Sequence, residues 1–130
     1  MTTKKPIRSE RGQTMAEFAI VFPVLAVVLF AIVQFGILFN NYLTVTDAVR
    51  AGAREAAVAR ASANPAGVAT TAVRNSAADL NQANLAVTVT SDWLPGDDVT
   101  VQATYPYSIS LLGWVVTSGS LTSKTTERVE

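Results

Sequence analysis

Histidine and cysteine are both absent from this 130-residue sequence, and charged residues make up only 15% of it. Without histidine and cysteine there are no disulfides, thiol nucleophiles, histidine general bases or metals bound by either residue type. No Ser-Lys or paired-carboxylate arrangement is recognisable either, so we predict that the chain is not an enzyme and holds no cofactor. The lack of cysteine leaves the cellular compartment open, because export does not require disulfides.

The few charges are unevenly distributed along the chain. Residues 1–12 contain four basic residues and one acidic residue, a net charge of +3, whereas residues 13–130 contain six basic and nine acidic residues, a net charge of −3. Nucleic-acid binding requires clustered Lys and Arg to neutralise phosphates, so the acidic remainder argues against nucleic acid as a partner. A short basic segment ahead of an apolar run is instead a signal of membrane topology.

A long apolar run follows the basic segment. It extends from Phe18 to Phe39, and its one strongly polar residue is Gln34. As a helix it would be about 33 Å long, enough to cross a hydrocarbon core of roughly 30 Å. The preceding basic residues predict that the N-terminus stays in the cytoplasm. We therefore predict a basic leader at 1–12, a transmembrane helix in contact with lipid at 13–39, and an exported domain at 40–130.

A cleavable secretory signal peptide is the main alternative for this run. The apolar region of such a peptide spans about 7–15 residues and is closely followed by a small-residue cleavage site. Here the run is longer and leads into Asn40-Asn41-Tyr42, and the nearest small-residue pattern, Ala51-Gly52-Ala53, lies well beyond it. Pro23 inside the run predicts a kink, because proline removes a backbone hydrogen bond and clashes with the preceding turn.

A carboxylate and a glycine flank the start of the apolar run. Glu17 directly precedes Phe18, and Gly12 lies five residues before Glu17. From physics alone, Glu17 is either an interfacial carboxylate without a role or a functional group, since a charge costs less at the membrane edge than at mid-bilayer. Gly12 has no side chain, so a protease can approach its backbone closely.

The segment Gly12-Gln13-Thr14-Met15-Ala16-Glu17-Phe18 resembles the processing site of type IV pilins and pseudopilins. The wider stretch from Arg11 to Ala57 is similar to the TadE-like family, which comprises small pseudopilins associated with the Flp or Tad (tight adherence) pilus. The features that match are Arg11-Gly12, Glu17-Phe18, Pro23, Phe35-Gly36, the Ala- and Arg-rich residues 47–54, and the ending at residues 126–130.

The resemblance implies a role for these residues. A prepilin peptidase, which is a membrane aspartyl protease, would cut between Gly12 and Gln13 and make Glu17 the fifth residue of the mature chain. Glu17 would then pair with the Gln13 amine of a neighbouring subunit, and Phe18 would open the apolar helix. The chain would serve as a minor pseudopilin in Flp/Tad pilus assembly.

The same resemblance implies partners and a location. The partners would be the peptidase, other pilins or pseudopilins, and the Tad assembly machinery. The chain would lie in the bacterial cytoplasmic membrane, with its C-terminal domain outside or at the cell surface in a pilus. The alternative is a membrane-anchored envelope binding protein that keeps its N-terminus, in which Glu17 is incidental.

Beyond the apolar run, the pattern predicts a pilin-like α+β domain. Apolar residues at helical spacing extend the helix over 40–62, with one face toward the core and a charged face opposite. The inward residues would be Leu38, Tyr42, Val45, Val49, Gly52 and Ala56, and the outward ones Asp47, Arg50 and Arg54. Asn64-Pro65 predicts the start of a short helix over 64–80, with Val68, Ala72 and Leu80 inward.

Residues 85–130 change to a period of two, which is typical of strands. Alternation predicts strands at 85–90 and 99–105, joined by a turn at Pro95-Gly96, in an antiparallel sheet of three or four strands. Residues 111–116 form a third strand or a loop, and residues 121–129 an edge strand.

Two groups of residues in this region have more than one interpretation. Three aspartates flank the predicted turn: Asp92, Asp97 and Asp98. They either stabilise the turn, where aspartate is common, or bind calcium. The bulky apolar group at 111–116 is either buried against the helix or faces a partner or the membrane.

Overall fold

The computed structural model describes residues 10–111 and 113–130. Their elements are helix α1 (Glu10–Val58), a short 3₁₀ turn (Ala59–Ala61), helix α2 (Pro65–Ser76) and strands β1 (Ala86–Thr90), β2 (Asp98–Leu111) and β3 (Trp114–Arg128). The predicted α+β class, with a long helix, a short helix and an antiparallel sheet, is confirmed. Residues 1–9 of the predicted leader and Leu112 of the apolar group lie outside the described residues.

The chain divides into two compact units between Phe35 and Gly36, and α1 contributes to both. The described part of the first unit is α1 alone, with Pro23 inside the helix. From Gly12 to Phe35 every residue is exposed except Ala26, Ala31 and Gln34, which are half-buried. The described residues therefore bury none of the large apolar side chains in this stretch.

The second unit, residues 36–130, has a core built from small side chains. On α1, the predicted inward positions Val45, Val49, Gly52 and Ala56 are buried. The prediction was wrong for Tyr42, which is exposed, and Leu38 is only half-buried. The opposite face is exposed and carries an ion pair between Asp47 and Arg50, with a nitrogen-to-oxygen distance of 3.4 Å. The largest fully buried side chains of the described residues are valines: Val45, Val49, Val73, Val99, Val101 and Val129.

Gly52 marks the closest approach between α1 and its neighbours. A Cβ atom at this position would collide with the Val73 side chain of α2 and lie 3.1 Å from the Ala69 carbonyl oxygen. It would also lie 3.5 Å from Val101 of β2. Because interiors are close-packed, a larger residue here would push two elements apart.

Helix α2 begins where Asn64-Pro65 predicts. The Asn64 Oδ1 atom accepts a hydrogen bond of 2.9 Å from the Gly67 N–H, which satisfies one of the free donors of the first turn. Its inward residues are Ala69, Val73 and Ala77, whereas Val68 is exposed and Ala72 half-buried. The predicted inward face was therefore wrong by one residue, which corresponds to a rotation of about 100°. Leu80 is buried as predicted, in the turns after the helix.

Two polar side chains hold the segment after α2. The Gln82 amide donates to the carbonyls of Ala77 at 2.7 Å and Leu80 at 3.2 Å. The Arg74 guanidinium donates to the carbonyl of Gln82 at 3.0 Å. These contacts satisfy backbone carbonyl groups at the C-cap of α2 and in the turns that follow it.

The sheet has the order β1-β2-β3, and both pairings are antiparallel. Val87 and Val89 of β1 face the core, as do Val99, Val101 and Ala103 of β2. The Pro95-Gly96 turn is confirmed: the Asp97 N–H donates to the Leu94 carbonyl at 3.1 Å, and Gly96 has a φ of +86°. A positive φ is required at the third position of a type II turn.

Strands β2 and β3 form a long hairpin. β1 pairs only with residues 100–104 of β2, whereas β3 pairs with β2 from Asp98↔Arg128 to Leu111↔Trp114. From Trp114 onward, the predicted third strand or loop and the predicted edge strand thus form one continuous strand, β3, after a tight turn, whereas Leu111 ends β2. Gly113, with a φ of +87°, occupies that turn, where short hairpin loops require positive φ.

Candidate functional site

The predicted processing site lies in the first turns of α1. Gly12 is exposed, and a Cβ atom built there would meet no described atom within 4 Å. The Gly12–Gln13 bond follows Glu10, the first residue of the helix, so a protease must open this turn to reach it. Glycine lowers the cost of opening, because it is about 1 kcal/mol less favourable than alanine in a helix.

The structure brings Gln13 and Glu17 together. The Gln13 side-chain Nε2 donates a hydrogen bond of 3.0 Å to Glu17 Oε1, and both side chains are exposed. This contact was missed in the sequence analysis, although residues four apart face each other on a helix and the spacing could have revealed it. The hydrogen bond thus joins the carboxylate to the side chain of Gln13, the residue whose nitrogen would become the α-amine after the predicted cleavage.

Phe18 begins an exposed aromatic pair on the same helix. Its ring centroid lies 5.6 Å from that of Phe22, with the rings tilted by 35°. Such pairs form easily between helical positions four apart. The predicted site residues therefore occupy successive exposed turns: a glycine without neighbours, a hydrogen-bonded carboxylate, and a ring pair that opens the apolar run.

The helix that carries this site is apolar and long enough to cross a membrane. The helical stretch Gly12–Ala61 reaches a mean hydropathy of 2.7 over 18 residues, and none of that window is buried by the described chain. A core helix of a water-soluble protein would be covered on at least one face. The combination indicates a candidate membrane span.

An open groove of about 560 Å³ lies between α1 and α2 in the second unit. Its polar lining includes Arg54, Glu55, Thr71 and Asn75. Across the described ranges no three Asp or Glu residues are close enough together to hold a metal ion. The polar side chains that line this groove form no recognisable reactive arrangement.

The apolar group at the tip of the β2–β3 hairpin is exposed. Trp114 is 81% exposed, and Val115 and Val116 are each 65% exposed. For these three residues, the interpretation that the group is buried against the helix was therefore wrong, whereas Leu111 is half-buried. The hairpin carries it beyond β1, and the register shift between Ile109 and Ser110 redirects side chains near the turn.

The comparison with family models supports the resemblance drawn from the sequence. The model described as TadE-like protein matches residues 12–54. The match begins at Gly12, contains Gln13, Glu17 and Phe18, and extends through the apolar run to Arg54, which confirms the likeness to the TadE-like family over that segment. Neither the curated proteins nor the solved structures gave a significant match to this chain.

Proposed function

We propose, from the TadE-like match over residues 12–54, that this chain is a pilin-like structural subunit that takes part in Flp/Tad pilus assembly. In this proposal α1 anchors the chain in the bacterial cytoplasmic membrane with its N-terminus inside, and residues 40–130 lie outside. A prepilin peptidase cuts between Gly12 and Gln13. The role is structural and not enzymatic, with other pilins or pseudopilins and the Tad assembly machinery as partners.

One observation carries the proposal: the family match starts at the exposed Gly12 and continues along an apolar helix that the chain leaves uncovered. Large exposed apolar surfaces require lipid or another protein. A pilin-like subunit uses both in turn, first as a membrane protein and then in a filament of packed helices.

Glu17 has a physical role in such an assembly. A carboxylate that becomes buried among apolar helices is costly unless a cation or hydrogen-bond donors satisfy it. Cleavage after Gly12 creates an α-amine at Gln13, and Glu17 of a neighbouring subunit pairs with it. Because one axial register brings the two groups together, the pair favours that register. The Gln13–Glu17 hydrogen bond supports this role, since it keeps the carboxylate satisfied before assembly.

Mass spectrometry of the protein from its native membrane tests the processing step. We expect a mature N-terminus at Gln13. A chain that keeps residues 1–12 in cells with normal pili would overturn the proposal and favour an uncleaved, membrane-anchored binding protein.

Two substitutions separate processing from assembly. Gly12→Leu is expected to block cleavage, because a side chain prevents close approach to the backbone. Gly36→Leu is the matched control, since a Cβ atom at Gly36 also meets no described atom within 4 Å but lies far from the cut.

Glu17→Ala is expected to leave cleavage largely intact and to reduce the amount of assembled subunit. Normal assembly of this variant at equal abundance would refute the charge-pairing role.

A further inference from the structure

The exposed tip of the β2–β3 hairpin is not explained by processing or by helix packing. Three consecutive residues, Trp114, Val115 and Val116, present large apolar side chains to the outside. The strand segment that carries them is well formed, because β2 and β3 remain paired up to Leu111↔Trp114. The Tyr107 ring also covers Gly119 across the hairpin, within about 3 Å of where a Cβ atom would lie.

Contacts inside residues 36–130 fix the direction in which this hairpin points. The Glu130 N–H donates to the Ala57 carbonyl at 3.0 Å. The adjacent Val129 N–H donates to the backbone carbonyl of Asp97, the residue just before β2, at 2.8 Å. Further along β2, Val101 lies beside Gly52. Higher-numbered residues of β2 thus lie beside lower-numbered residues of α1. The hairpin tip, at the high-numbered end of β2, therefore points toward the Gly36 end of this unit.

The hairpin is long enough to reach that end. From Val101 to Leu111, β2 covers about 33 Å at ~3.3 Å per residue. From Gly52 back to Gly36, α1 covers about 24 Å at ~1.5 Å per residue. The Gly36 end is also the end at which the chain continues into the apolar run.

The hairpin and this part of α1 share an unusual lack of charge. No Asp, Glu, Lys or Arg occurs between Val99 and Ser123, nor between Gly36 and Thr46. Charged groups resist transfer into a bilayer, whereas tryptophan prefers the interface between headgroups and hydrocarbon. The end of the unit nearest the apolar run is thus the one with the fewest groups that oppose contact with lipid.

We propose that the hairpin tip, defined as Trp114, Val115 and Val116, inserts into the interfacial layer of the membrane that α1 crosses. This inference rests on the proposed function for its anchor. A second copy is a poorer occupant, because a stable protein interface needs roughly 800 Å² per partner and three side chains supply only a fraction of that. Lipid requires no such area here, since α1 already tethers the domain and the tip only restrains its orientation.

The absence of cysteine allows a direct test. Val115→Cys, Thr90→Cys and Leu29→Cys are made singly in the full chain, labelled with a nitroxide and reconstituted into phosphatidylcholine–phosphatidylglycerol vesicles. All three native side chains are exposed, so labelling leaves the packing intact. Thr90 ends β1 and pairs with Thr100, which places it at the opposite end of the sheet from the tip. Collisions with oxygen and with a water-soluble nickel complex report the depth of each label.

We expect the label at position 115 to favour oxygen over nickel, the label at position 90 to favour nickel, and the label at position 29 to be deepest. Adding Trp114→Glu should move the label at position 115 into water without moving the label at position 29.

A label at position 115 that behaves like the one at position 90, with position 29 deep, overturns this inference and leaves the anchor standing. A label at position 29 in water overturns the anchor itself. Protection at position 115 that disappears when the chain is diluted in lipid overturns lipid as the occupant and assigns the tip to another copy.

Discussion

The two parts of α1 form one continuous helix but differ in how much apolar surface the described chain buries. From Gly12 to Phe35 the helix carries Phe, Leu, Ile and Val on all sides and leaves them exposed. From Val45 to Ala57 it buries a face made of Val, Ala and Gly. The largest apolar side chains are thus on the part that the chain does not cover, and the smallest are on the part that it does.

This difference shows how side-chain size follows the surroundings of a helix. Small residues let α1 approach α2 and the sheet closely, and Gly52 is the extreme case. Large residues maximise the apolar area offered to lipid or to neighbouring helices, where no fixed surface limits their volume. The core of residues 36–130 is therefore thin and sensitive to added volume, whereas the uncovered part is sensitive to added charge.

Added charge should have the largest effect on the uncovered part. Leu29→Lys is expected to make the free energy of membrane insertion of α1 less favourable by about 2.5–3.5 kcal/mol, which is the cost of a lysine near the centre of a span. Val58→Lys is the matched control, since Val58 is also exposed on α1 but lies in the second unit. The inserted fraction is measured by alkaline extraction of membranes. Equal extraction of both variants would contradict the contrast between the two parts.

Added volume should have the next largest effect, and in the other part. Gly52→Leu is expected to lower the free energy of unfolding of residues 36–130 by about 1–3 kcal/mol, because the new side chain overlaps Val73 and approaches Ala69. Gly36→Leu adds the same volume to the same helix where no described atom lies within 4 Å of the Cβ position, and it should leave stability unchanged or raised. Thermal unfolding in detergent compares the two. Equal losses in the two variants would show that the overlap with Val73 does not control the stability of Gly52→Leu.

The smallest effect concerns the cap of α2. Asn64→Ala removes the acceptor for the Gly67 N–H and should destabilise residues 36–130 by about 1 kcal/mol. Asn75→Ala, at an exposed position within the same helix, is the control and should be neutral. Hydrogen exchange at the Gly67 amide provides a local readout. Unchanged exchange in the Asn64 variant would mean that the cap contributes nothing measurable.

Local signals determined much of what was predicted from the sequence. The long apolar run required a helix, Asn64-Pro65 began α2, and Pro95-Gly96 formed the turn, because each depends on residues that are close together in the chain. The spacing of Gly12, Gln13, Glu17 and Phe18 likewise places them on successive turns of a helix, although cleavage and pairing at these residues stay predictions. The Gln13–Glu17 hydrogen bond was within reach of the same reasoning.

Long-range packing decided the rest. The inward face of α2 depended on which side chain fitted beside Gly52. The adjacent pairs Val68-Ala69 and Ala72-Val73 place one Val and one Ala on each candidate face, so hydropathy does not distinguish them. The continuity of β3 and the exposure of Trp114 depended on how far β2 and β3 pair beyond β1. Sequence alone thus determined the long apolar helix and the candidate site, because hydropathy and helical spacing are local. Tertiary structure alone set the core contacts and the exposed hairpin tip, because burial is a property of residues that meet from distant parts of the chain.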